Sequence, residues 1–528
     1  MRVERVVILD GYTDEPAGLG VPPYINTYPR LVAGVVWLKN KSATVRYWTI
    51  DQARADISKF LEEARRADLV AVVAGSEVPG RYIGGVPITR EELERTALLL
   101  RDARKILAGP AARYGLASGG GSVAVEPSKM RSLFDEVVSG DIEEYLNELL
   151  EHGFERARPW ITRENYELAD RAFVVGAKIV REHPCYGKNL VVELETFRGC
   201  PRWISGGCSF CIEPRYGRPV MRDTHAIIRE VEVLYELGVR HIRVGRQPDI
   251  LVYMAHGVGE EEFPKPNVEA LERLFRGIRL AAPGLVTLHI DNVNPGTVAK
   301  HPEESTRALK VIVKYNTPGD VAALGVESLD PRVVKLNNLK ASPEESLEAI
   351  RIINRVGILR GWNGLPYLLP GINLLYGLPG ETRETYAINE EYLKRILEEG
   401  LLVRRVNIRQ VAVLANTPLW IKRSEVQRLL RKHRRIFHSH RVRVMRFFDR
   451  VMLSRIVPEN TLLYYLYTEK YIRGFTVARF PGSYPIAVKI PGRVKLGEFV
   501  TVRVLKHASK SVLGALLHSE LAVPHNSN

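Results

Sequence analysis

The sequence is short of the features that mark secreted and membrane proteins. It has only four cysteines in 528 residues, too few for a disulfide framework in so long a chain. No apolar run approaches the roughly 18 residues that span a bilayer. The N terminus leads directly into the strand-like Val6 to Leu9, without a signal-peptide pattern. We therefore expect a cytoplasmic protein with reduced thiols and no membrane partner.

Acidic residues are scarce near the C terminus. Between residues 421 and 515 there are 21 Lys plus Arg against five Asp plus Glu, a net charge of +16 in a chain whose total is +15. The remaining residues are therefore close to neutral. A positive charge concentrated in one region favours a polyanionic partner, although the basic stretch 421–450 is also compatible with a solvated helix.

The first part of the chain alternates apolar runs with helical patterns. Strand candidates at Val6 to Leu9, 68–75 and 105–110 are continuous apolar runs, as strands covered on both faces are. Helices between them indicate a doubly wound α/β domain over residues 1–125. Residues 126–188 are helical and amphipathic and are interpreted as a connector.

A second α/β repeat occupies residues 189–420. Its six strand candidates are Leu190 to Glu195, His241 to Val244, Val286 to Ile290, Ala322 to Val326, Ile372 to Tyr376 and Arg405 to Val413. Six strands with intervening helices predict a partial (β/α)6 barrel with its chemistry at the carboxyl ends of the strands. The rest divides into a basic helical segment (421–470), a small C-terminal β-barrel (471–515) and a tail (516–528).

Three of the four cysteines lie just after the first strand of this repeat. Cys200, Cys208 and Cys211 can supply three thiolates to a four-iron, four-sulfur cluster and leave the fourth iron without a protein ligand. The alternative is a structural zinc site that adds Cys185 as a fourth thiolate. Zinc sites usually pair two short cysteine knuckles, and only one such knuckle occurs here.

The cysteine cluster resembles that of the radical S-adenosylmethionine (radical SAM) superfamily, whose usual spacing is C-x3-C-x2-C with an aromatic residue before the last cysteine. Phe210 fills the aromatic position. The first gap is seven residues instead of three, so Trp203 to Gly207 forms an insertion. The pair Gly206-Gly207 would let that insertion double back, because glycine tolerates positive φ.

The resemblance continues at the ends of later strands. It implies a 4Fe-4S cluster, SAM that is cleaved reductively to a 5′-deoxyadenosyl radical, and an electron donor such as ferredoxin or flavodoxin. The SAM-contacting residues that it implies are Phe210, Gly245, Gln247, Glu327, Ser328, Gly377 and Gly380. For Ser328 and the neighbouring Asp330, capping of the next helix is an equally good interpretation. No residue is assigned as catalytic.

The C-terminal segment 471–515 resembles a TRAM domain, an OB-like RNA-binding barrel that is appended to tRNA methylthiotransferases. This resemblance implies RNA, with tRNA favoured, as the partner. The candidate RNA-binding residues are Arg479, Tyr484, Lys489, Arg493, Lys495 and Arg503. Cationic side chains would pair with phosphates, and Phe480 and Tyr484 would stack on bases. The alternative is that both aromatics belong to the barrel core.

The N-terminal domain restricts the reaction. Methylthiotransferases carry three N-terminal cysteines for a second cluster, and no cysteine precedes Cys185. The domain instead resembles the cobalamin-binding domain of radical SAM methyltransferases. No histidine precedes His152, which excludes histidine-ligated cobalamin there but leaves cobalamin open. We expect methylation, or a related radical reaction, on an RNA nucleoside; the alternatives are a protein or small-molecule substrate and a non-catalytic RNA-binding zinc protein.

Overall fold

The computed structural model describes residues 3–13, 23–77 and 85–520. The chain divides into two compact units, each of which is made of several segments. Unit 1 comprises Met1–Cys200, Phe210–Val239 and Val411–Arg423. Unit 2 comprises Pro201–Ser209, Arg240–Gln410 and Ser424–Asn528. Among the described residues, no helix is both long and apolar enough to cross a bilayer.

Unit 1 is built on a parallel five-stranded sheet. The strands of unit 1 are β1 (Arg5–Asp10), β2 (Tyr24–Ile25), β3 (Thr44–Thr49), β4 (Leu69–Val73), β5 (Lys105–Ala108), β6 (Glu136–Val137), β7 (Val191–Glu195), β8 (Phe197–Arg198) and β9 (Val220–Met221), and five of them form this sheet. The sheet has the order β3-β1-β4-β5-β6. Every residue of β4 and β5 is buried, as expected for parallel strands covered on both faces.

Helices cover this sheet and connect its strands. They are α1 (Thr27–Lys39), α2 (Ile50–Ala55), α3 (Ile57–Arg65), α4 (Arg90–Leu99), α5 (Pro110–Tyr114), α6 (Ile142–His152), α7 (Glu167–Gly176) and α8 (Thr224–Glu236). Helix α4 starts at a capping box in which Thr89 and Glu92 satisfy each other's backbone amides. The doubly wound α/β class expected from the sequence is confirmed.

Two strands of the five-stranded sheet were not expected. β3 is an edge strand with Thr44 and Arg46 exposed, so it lacks the continuous apolar run of a central strand. β6 has two residues and lies inside the segment interpreted as a helical connector, so the sheet extends beyond residue 125. Two further pairings in unit 1 are β2 with β7 in parallel and β8 with β9 antiparallel.

Unit 2 contains the remaining strands of the second repeat. They are β10 (His241–Gly245), β11 (Thr287–Ile290), β12 (Asn292–Val293), β13 (Asp320–Glu327), β14 (Leu368–Tyr376) and β15 (Arg405–Gln410). β10 pairs with β11, and β12, β13, β14 and β15 follow one another, all in parallel. Each of the six predicted positions is a strand, with β7 in unit 1 as the first.

The helices of unit 2 alternate with these strands and then continue into the basic segment. They are α9 (Val268–Ala281), α10 (Pro295–Lys300), α11 (Pro302–Tyr315), α12 (Pro331–Leu336), α13 (Pro343–Gly357), α14 (Arg383–Glu398), α15 (Arg423–Val444) and α16 (Arg450–Ile456). A five-residue π-helical turn, Met445–Asp449, joins α15 to α16. Helix α15 buries one stripe of side chains, which includes Val426, His433 and Phe437.

The C-terminal strands close into the expected small barrel. They are β16 (Leu462–Ile472), β17 (Phe475–Arg479), β18 (Ala487–Pro491), β19 (Phe499–His507) and β20 (Ser511–Glu520), in the order β16-β17-β18-β20-β19. The barrel therefore begins nine residues before the predicted residue 471 and runs into the predicted tail. Residues 521–528 of that tail lie outside the described residues.

A turn between β17 and β18 packs against the amino ends of the parallel strands in unit 2. Thr287 donates its hydroxyl to the Pro481 carbonyl at 2.5 Å, and the Ser483 amide donates to His289 Nδ1 at 2.9 Å. Arg404, just before β15, donates to the Tyr484 carbonyl at 2.6 Å. This turn closes the end of the strands opposite to the one where chemistry is expected.

Candidate active site at the cysteine loop and strand ends

The inserted part of the cysteine loop is a compact turn. Residues Pro201–Ser205 form one 3₁₀ turn, and Gly206 and Gly207 follow with φ of 80° and 62°. The positive φ values confirm that this glycine pair reverses the chain direction. Cys208 comes next and is buried, with 7% of its surface exposed. Unit 2 therefore presents the middle cysteine on a rigid turn.

The two outer cysteines belong to unit 1, where both are half-buried. Cys200 follows Gly199, whose φ is 90°, and Cys211 follows the half-buried Phe210. The three cysteines fall within twelve consecutive positions, so one short segment carries all three thiols. All four cysteines of the chain are thiols and none forms a disulfide.

Arg202 is a functional residue that the sequence reasoning missed. Its side chain is buried, and its Nη1 lies 3.2 Å from Cys208 Sγ. A guanidinium at this distance can donate a hydrogen bond to a sulfur that would bind iron. The available signal was a cation between the first two cysteines, but spacing alone does not say which way the side chain points.

Two asparagines hold the cysteine loop to unit 2. The Ser209 amide donates to the Asn337 carbonyl at 3.0 Å, and Asn338 Nδ2 donates to the Gly207 carbonyl at 3.0 Å. Asn337 Nδ2 also donates to the Pro379 carbonyl at 2.8 Å. The structure therefore brings the cysteine loop and the Gly377–Gly380 turn to one place, as the proposed SAM contacts require.

The turn after β10 contains Gly245 and Gln247, which are both buried. The Gln247 side chain donates from Nε2 to the Val244 carbonyl at 3.0 Å. The backbone carbonyl of Gln247 accepts from Asn292 Nδ2 at 3.3 Å. Between them Arg246 has a φ of 64°, which is uncommon for a residue with a side chain. This turn presents polar backbone groups at the end of the strand, a suitable setting for an ammonium group.

The end of β13 carries a glutamate, Glu327, whose backbone is strained. Glu327 has a φ of 63°, and the pairing with β14 shifts register between Leu324 and Glu327. Burial raises the pKa of Glu327 to about 7, although Lys340 and Arg409 oppose this rise. Gly325 leaves the space for this group, since a Cβ there would lie 2.4 Å from Lys340 Nζ and 2.7 Å from Glu327 Oε1.

The capping interpretation applies to the residues that follow Glu327. Asp330 Oδ1 accepts from the Arg332 amide at 2.9 Å and so caps α12. Ser328 is buried, and its Oγ accepts from the Asp330 amide at 3.2 Å. Both residues therefore have structural roles, whereas Glu327 does not take part in the cap and remains the candidate for the ribose hydroxyls.

The side chain of Glu381 fixes the Gly377–Gly380 turn. The Gly377 amide donates to Glu381 Oε2 at 2.5 Å, while Tyr386 donates its hydroxyl to Oε1 at 2.7 Å. His433 of α15 places Nδ1 2.8 Å from the same Oε1. Gly380 has a φ of 89°, and a Cβ there would meet Leu336 at 2.6 Å. Glycine is therefore required at this position of the turn.

The structure corrects part of the RNA-binding set. Arg479 is buried and pairs with Glu469 at 2.7 Å, so it is occupied within the barrel. Tyr484 and Phe480 are each 4% exposed, and the Tyr484 hydroxyl donates to Asp291 at 3.0 Å. Neither ring is exposed in the way that base stacking needs, which favours the alternative that both are packing residues. The candidates that are exposed are Lys489, Arg493, Lys495 and Arg503.

Unit 1 has its own polar groups at the carboxyl ends of β1 and β4. Burial raises the pKa of Asp10 to about 6, and its carboxylate accepts from the Tyr47 hydroxyl at 2.8 Å. Ser76 is buried, and among the described residues no hydrogen-bond partner reaches its Oγ. The strand order reverses between β1 and β4, which is where doubly wound sheets bind ligands.

Comparisons with known proteins agree with this geometry. The family model described as the Radical SAM superfamily matches residues 194–391. An uncharacterized protein of Methanocaldococcus jannaschii is 44% identical over 521 residues, which cover 98% of this chain and 94% of that protein. A tRNA-2-methylthio-N(6)-dimethylallyladenosine synthase of Azobacteroides pseudotrichonymphae is 22% identical over 205 residues, or 38% of this chain and 39% of that enzyme.

Among solved structures, the cobalamin-dependent S-adenosylmethionine radical enzyme OxsB matches with a TM-score of 0.55 and 12% identity, over 82% of this chain and 61% of that one. At this identity the match shows a shared fold. Residues 194–391 therefore form a radical SAM domain. The chain as a whole belongs to the same family as the Methanocaldococcus protein, which it matches along nearly its whole length.

Its cofactors are accordingly a 4Fe-4S cluster and SAM. The residues present fit them. Cys200, Cys208 and Cys211 are thiols in one short loop, Cys208 has a cationic neighbour, and the loop is tied to the turns that resemble SAM contacts. Three thiolates are the donor set that leaves one iron of such a cluster open to SAM. The radical SAM domain favours the cluster over the zinc alternative.

Proposed function

We propose that this radical SAM enzyme modifies a nucleoside in RNA, with tRNA favoured, by methylation or a related radical reaction. The observation that carries the RNA substrate is the cationic exposed face of α15. Seven basic side chains of this helix and of the turn after it are exposed: Arg428, Arg431, Lys432, Arg434, Arg435, Arg441 and Arg446. Within the described part of the chain, none of the seven forms an ion pair.

The buried face of α15 explains why these cations point to solvent on the same side of the helix. His440 Nε2 lies 2.6 Å from the Tyr376 hydroxyl, its Nδ1 lies 2.7 Å from Glu390, and Phe437 packs edge-on against Tyr376. These contacts fix the rotation of the helix. A rigid helix with one cationic face matches the regular negative charge of a nucleic acid backbone.

The barrel adds a smaller positive surface. Lys489, Arg493 and Arg503 are exposed on its strands and turns, and Lys495, also exposed, pairs with Glu498 at 2.7 Å. Exposed cations on a small barrel support phosphate contacts without reading sequence. The matched synthase of Azobacteroides pseudotrichonymphae acts on tRNA according to its name, which also favours an RNA substrate here.

When bound, the cluster supplies the electron that cleaves SAM. The side chains of the enzyme position and shield the reactants. Glu327, whose pKa burial raises to about 7, would in its ionised form accept hydrogen bonds from the ribose hydroxyls, with Lys340 as its nearby cation. The backbone of the Gly377–Gly380 turn would lie against the adenine, and Asn337 keeps this turn against the cysteine loop.

Cobalamin is proposed as a further cofactor of unit 1. The strand order, the buried Asp10 and the Ser76 hydroxyl at the switch point fit a ligand at the carboxyl edge of the sheet. OxsB, named as cobalamin-dependent, shares the fold. The test is anaerobic binding of hydroxocobalamin to the purified full chain. A visible-spectrum titration that saturates at one equivalent supports the proposal, and no binding at micromolar protein contradicts it.

The RNA proposal is tested by removing three charges from α15. The variant Arg428→Gln, Arg431→Gln, Arg435→Gln alters one helix face, because these residues are three and four positions apart. Its matched control removes three exposed cations elsewhere in unit 2: Arg273→Gln, Arg276→Gln, Lys310→Gln. We expect weaker tRNA binding and a smaller slope of log affinity against log salt, by about 0.7–0.9 per lost phosphate contact, in the first variant only.

Equal loss in the two variants would indicate non-specific attraction and would contradict the α15 surface. No measurable RNA affinity in the wild-type protein would favour a protein or small-molecule substrate. The chemistry is tested separately, by reducing the reconstituted enzyme with SAM and measuring 5′-deoxyadenosine. The modified nucleoside is then sought by mass spectrometry of RNA from cells with and without the gene.

A further inference from the structure

Arg202 occupies an unusual position for a buried cation. It is 3% exposed, and each of its three guanidinium nitrogens contacts a different residue. Nη1 lies 3.2 Å from Cys208 Sγ, Nε donates to Glu262 at 2.7 Å, and Nη2 donates to Asn338 at 3.0 Å. With all three nitrogens engaged, the group cannot rotate away from the sulfur without breaking two other hydrogen bonds.

The partner carboxylate is itself fixed and charged. Ser205 donates its hydroxyl to the same Glu262 oxygen at 2.7 Å. Burial raises the pKa of Glu262, but hydrogen bonds from Ser205 and Arg202 outweigh it, and the net pKa lies below the usual value. Glu262 is therefore ionised at neutral pH and offsets part of the positive charge that Arg202 places beside the sulfur.

The surroundings make this charge effective. Cys208 is 7% exposed, and the Arg202 guanidinium lies 5.5 Å from the Phe263 ring. Arg202 and Cys208 are both buried, so the charge acts on the sulfur more strongly than it would at the surface. Hydrogen bonds to cluster sulfurs and nearby charge are two of the factors that set the reduction potential of an iron-sulfur cluster.

We propose that Arg202 is a positioning residue that donates a charge-assisted N–H···S hydrogen bond to the Cys208 thiolate and raises the reduction potential of the cluster. Reduction adds one electron and so makes the cluster and its thiolates more negative. A fixed cation stabilises the reduced form more than the oxidised form. Glu262 acts in the opposite sense through Arg202, and together the two residues set the potential from beside Cys208.

The test is a redox titration of the anaerobically reconstituted full chain without SAM, followed by electron paramagnetic resonance. Arg202→Gln removes the charge and is expected to lower the potential. Arg202→Lys keeps the charge and is expected to stay nearest to wild type. Glu262→Gln keeps a hydrogen-bond acceptor but removes the negative charge, and is expected to raise the potential. Arg218→Gln, at an exposed cation seven positions after Cys211, is the control and should leave it unchanged.

Iron and sulfide content identifies variants that do not hold the cluster. If Arg202→Gln is one of them, Arg202→Lys and Glu262→Gln decide the question. Opposite shifts for the charge removed at Arg202 and at Glu262 support the proposal, because a general loosening of the loop would move both in one direction. Shifts of the same sign, or wild-type potentials in variants with full iron content, would overturn it.

Discussion

The two ends of the parallel strands in unit 2 differ in backbone strain, in the pKa of their buried groups and in packing. At the carboxyl end, Glu327 keeps a strained backbone and a pKa near neutrality, and the turns carry positive φ. At the amino end, the Phe480–Pro485 turn fills the space between the strands. Burial there lowers the pKa of His289 to about 3, so this histidine is neutral. Strain and titratable groups at one end favour chemistry, and tight packing at the other favours stability.

The largest expected effect comes from removing the middle cysteine at the carboxyl end. Cys208→Ala leaves two thiolates, too few to hold the cluster, so SAM cleavage should fall to background. Production of 5′-deoxyadenosine measures this directly. Cys185→Ala serves as the control, and wild-type iron content there with loss in Cys208→Ala separates the cluster ligands from the fourth thiol.

A substitution at the amino end should change stability and leave SAM and RNA binding intact. Tyr484→Phe removes the hydroxyl that donates to the buried Asp291, and we expect the free energy of unfolding to fall by about 1–3 kcal/mol. Denaturant unfolding measures this loss. Since Tyr484 is buried against the parallel strands of unit 2, tRNA affinity should not change. A loss of affinity without a loss of stability would support base stacking by this ring.

A change of comparable size is expected for SAM affinity at the carboxyl end. The pKa of Glu327 is raised to about 7, so its charged fraction grows from pH 6 to pH 8 and SAM binding should tighten over that interval. Glu327→Gln should weaken binding at pH 8 about 10-fold, or roughly 1.4 kcal/mol, and flatten the pH dependence. Calorimetry at several pH values gives both numbers, and an unaltered pH profile would exclude Glu327 as the titrating group.

The smallest effect is expected from the helix cap beside Glu327. Asp330→Ala removes the acceptor for the Arg332 amide and should lower the free energy of unfolding by about 1 kcal/mol. SAM affinity should stay close to wild type. This result would show that Asp330 caps the helix without contributing to SAM binding. A 10-fold loss of SAM affinity in Asp330→Ala would show instead that Asp330 contributes to both.

The agreement between sequence and structure is uneven for physical reasons. Apolar strands such as β4 and β13 were predictable because burial on both faces demands continuous apolar runs. The edge strand β3 and the two-residue β6 were not, because their stability comes from neighbouring strands and not from their own composition. The capping role of Asp330 was one of two interpretations left open by the sequence, because it depends on where α12 begins.

The sequence by itself determined the cysteine triad, the strand-end motifs, the concentration of positive charge after residue 420 and the absence of a second set of cysteines. These follow from composition, spacing and period, which are local properties. Only the tertiary structure decided which way side chains point. It turned Tyr484 and Arg479 into the barrel, left Arg431 and Arg435 exposed, and placed Arg202 against Cys208. Such choices depend on contacts between residues far apart in the chain, and no local pattern records them.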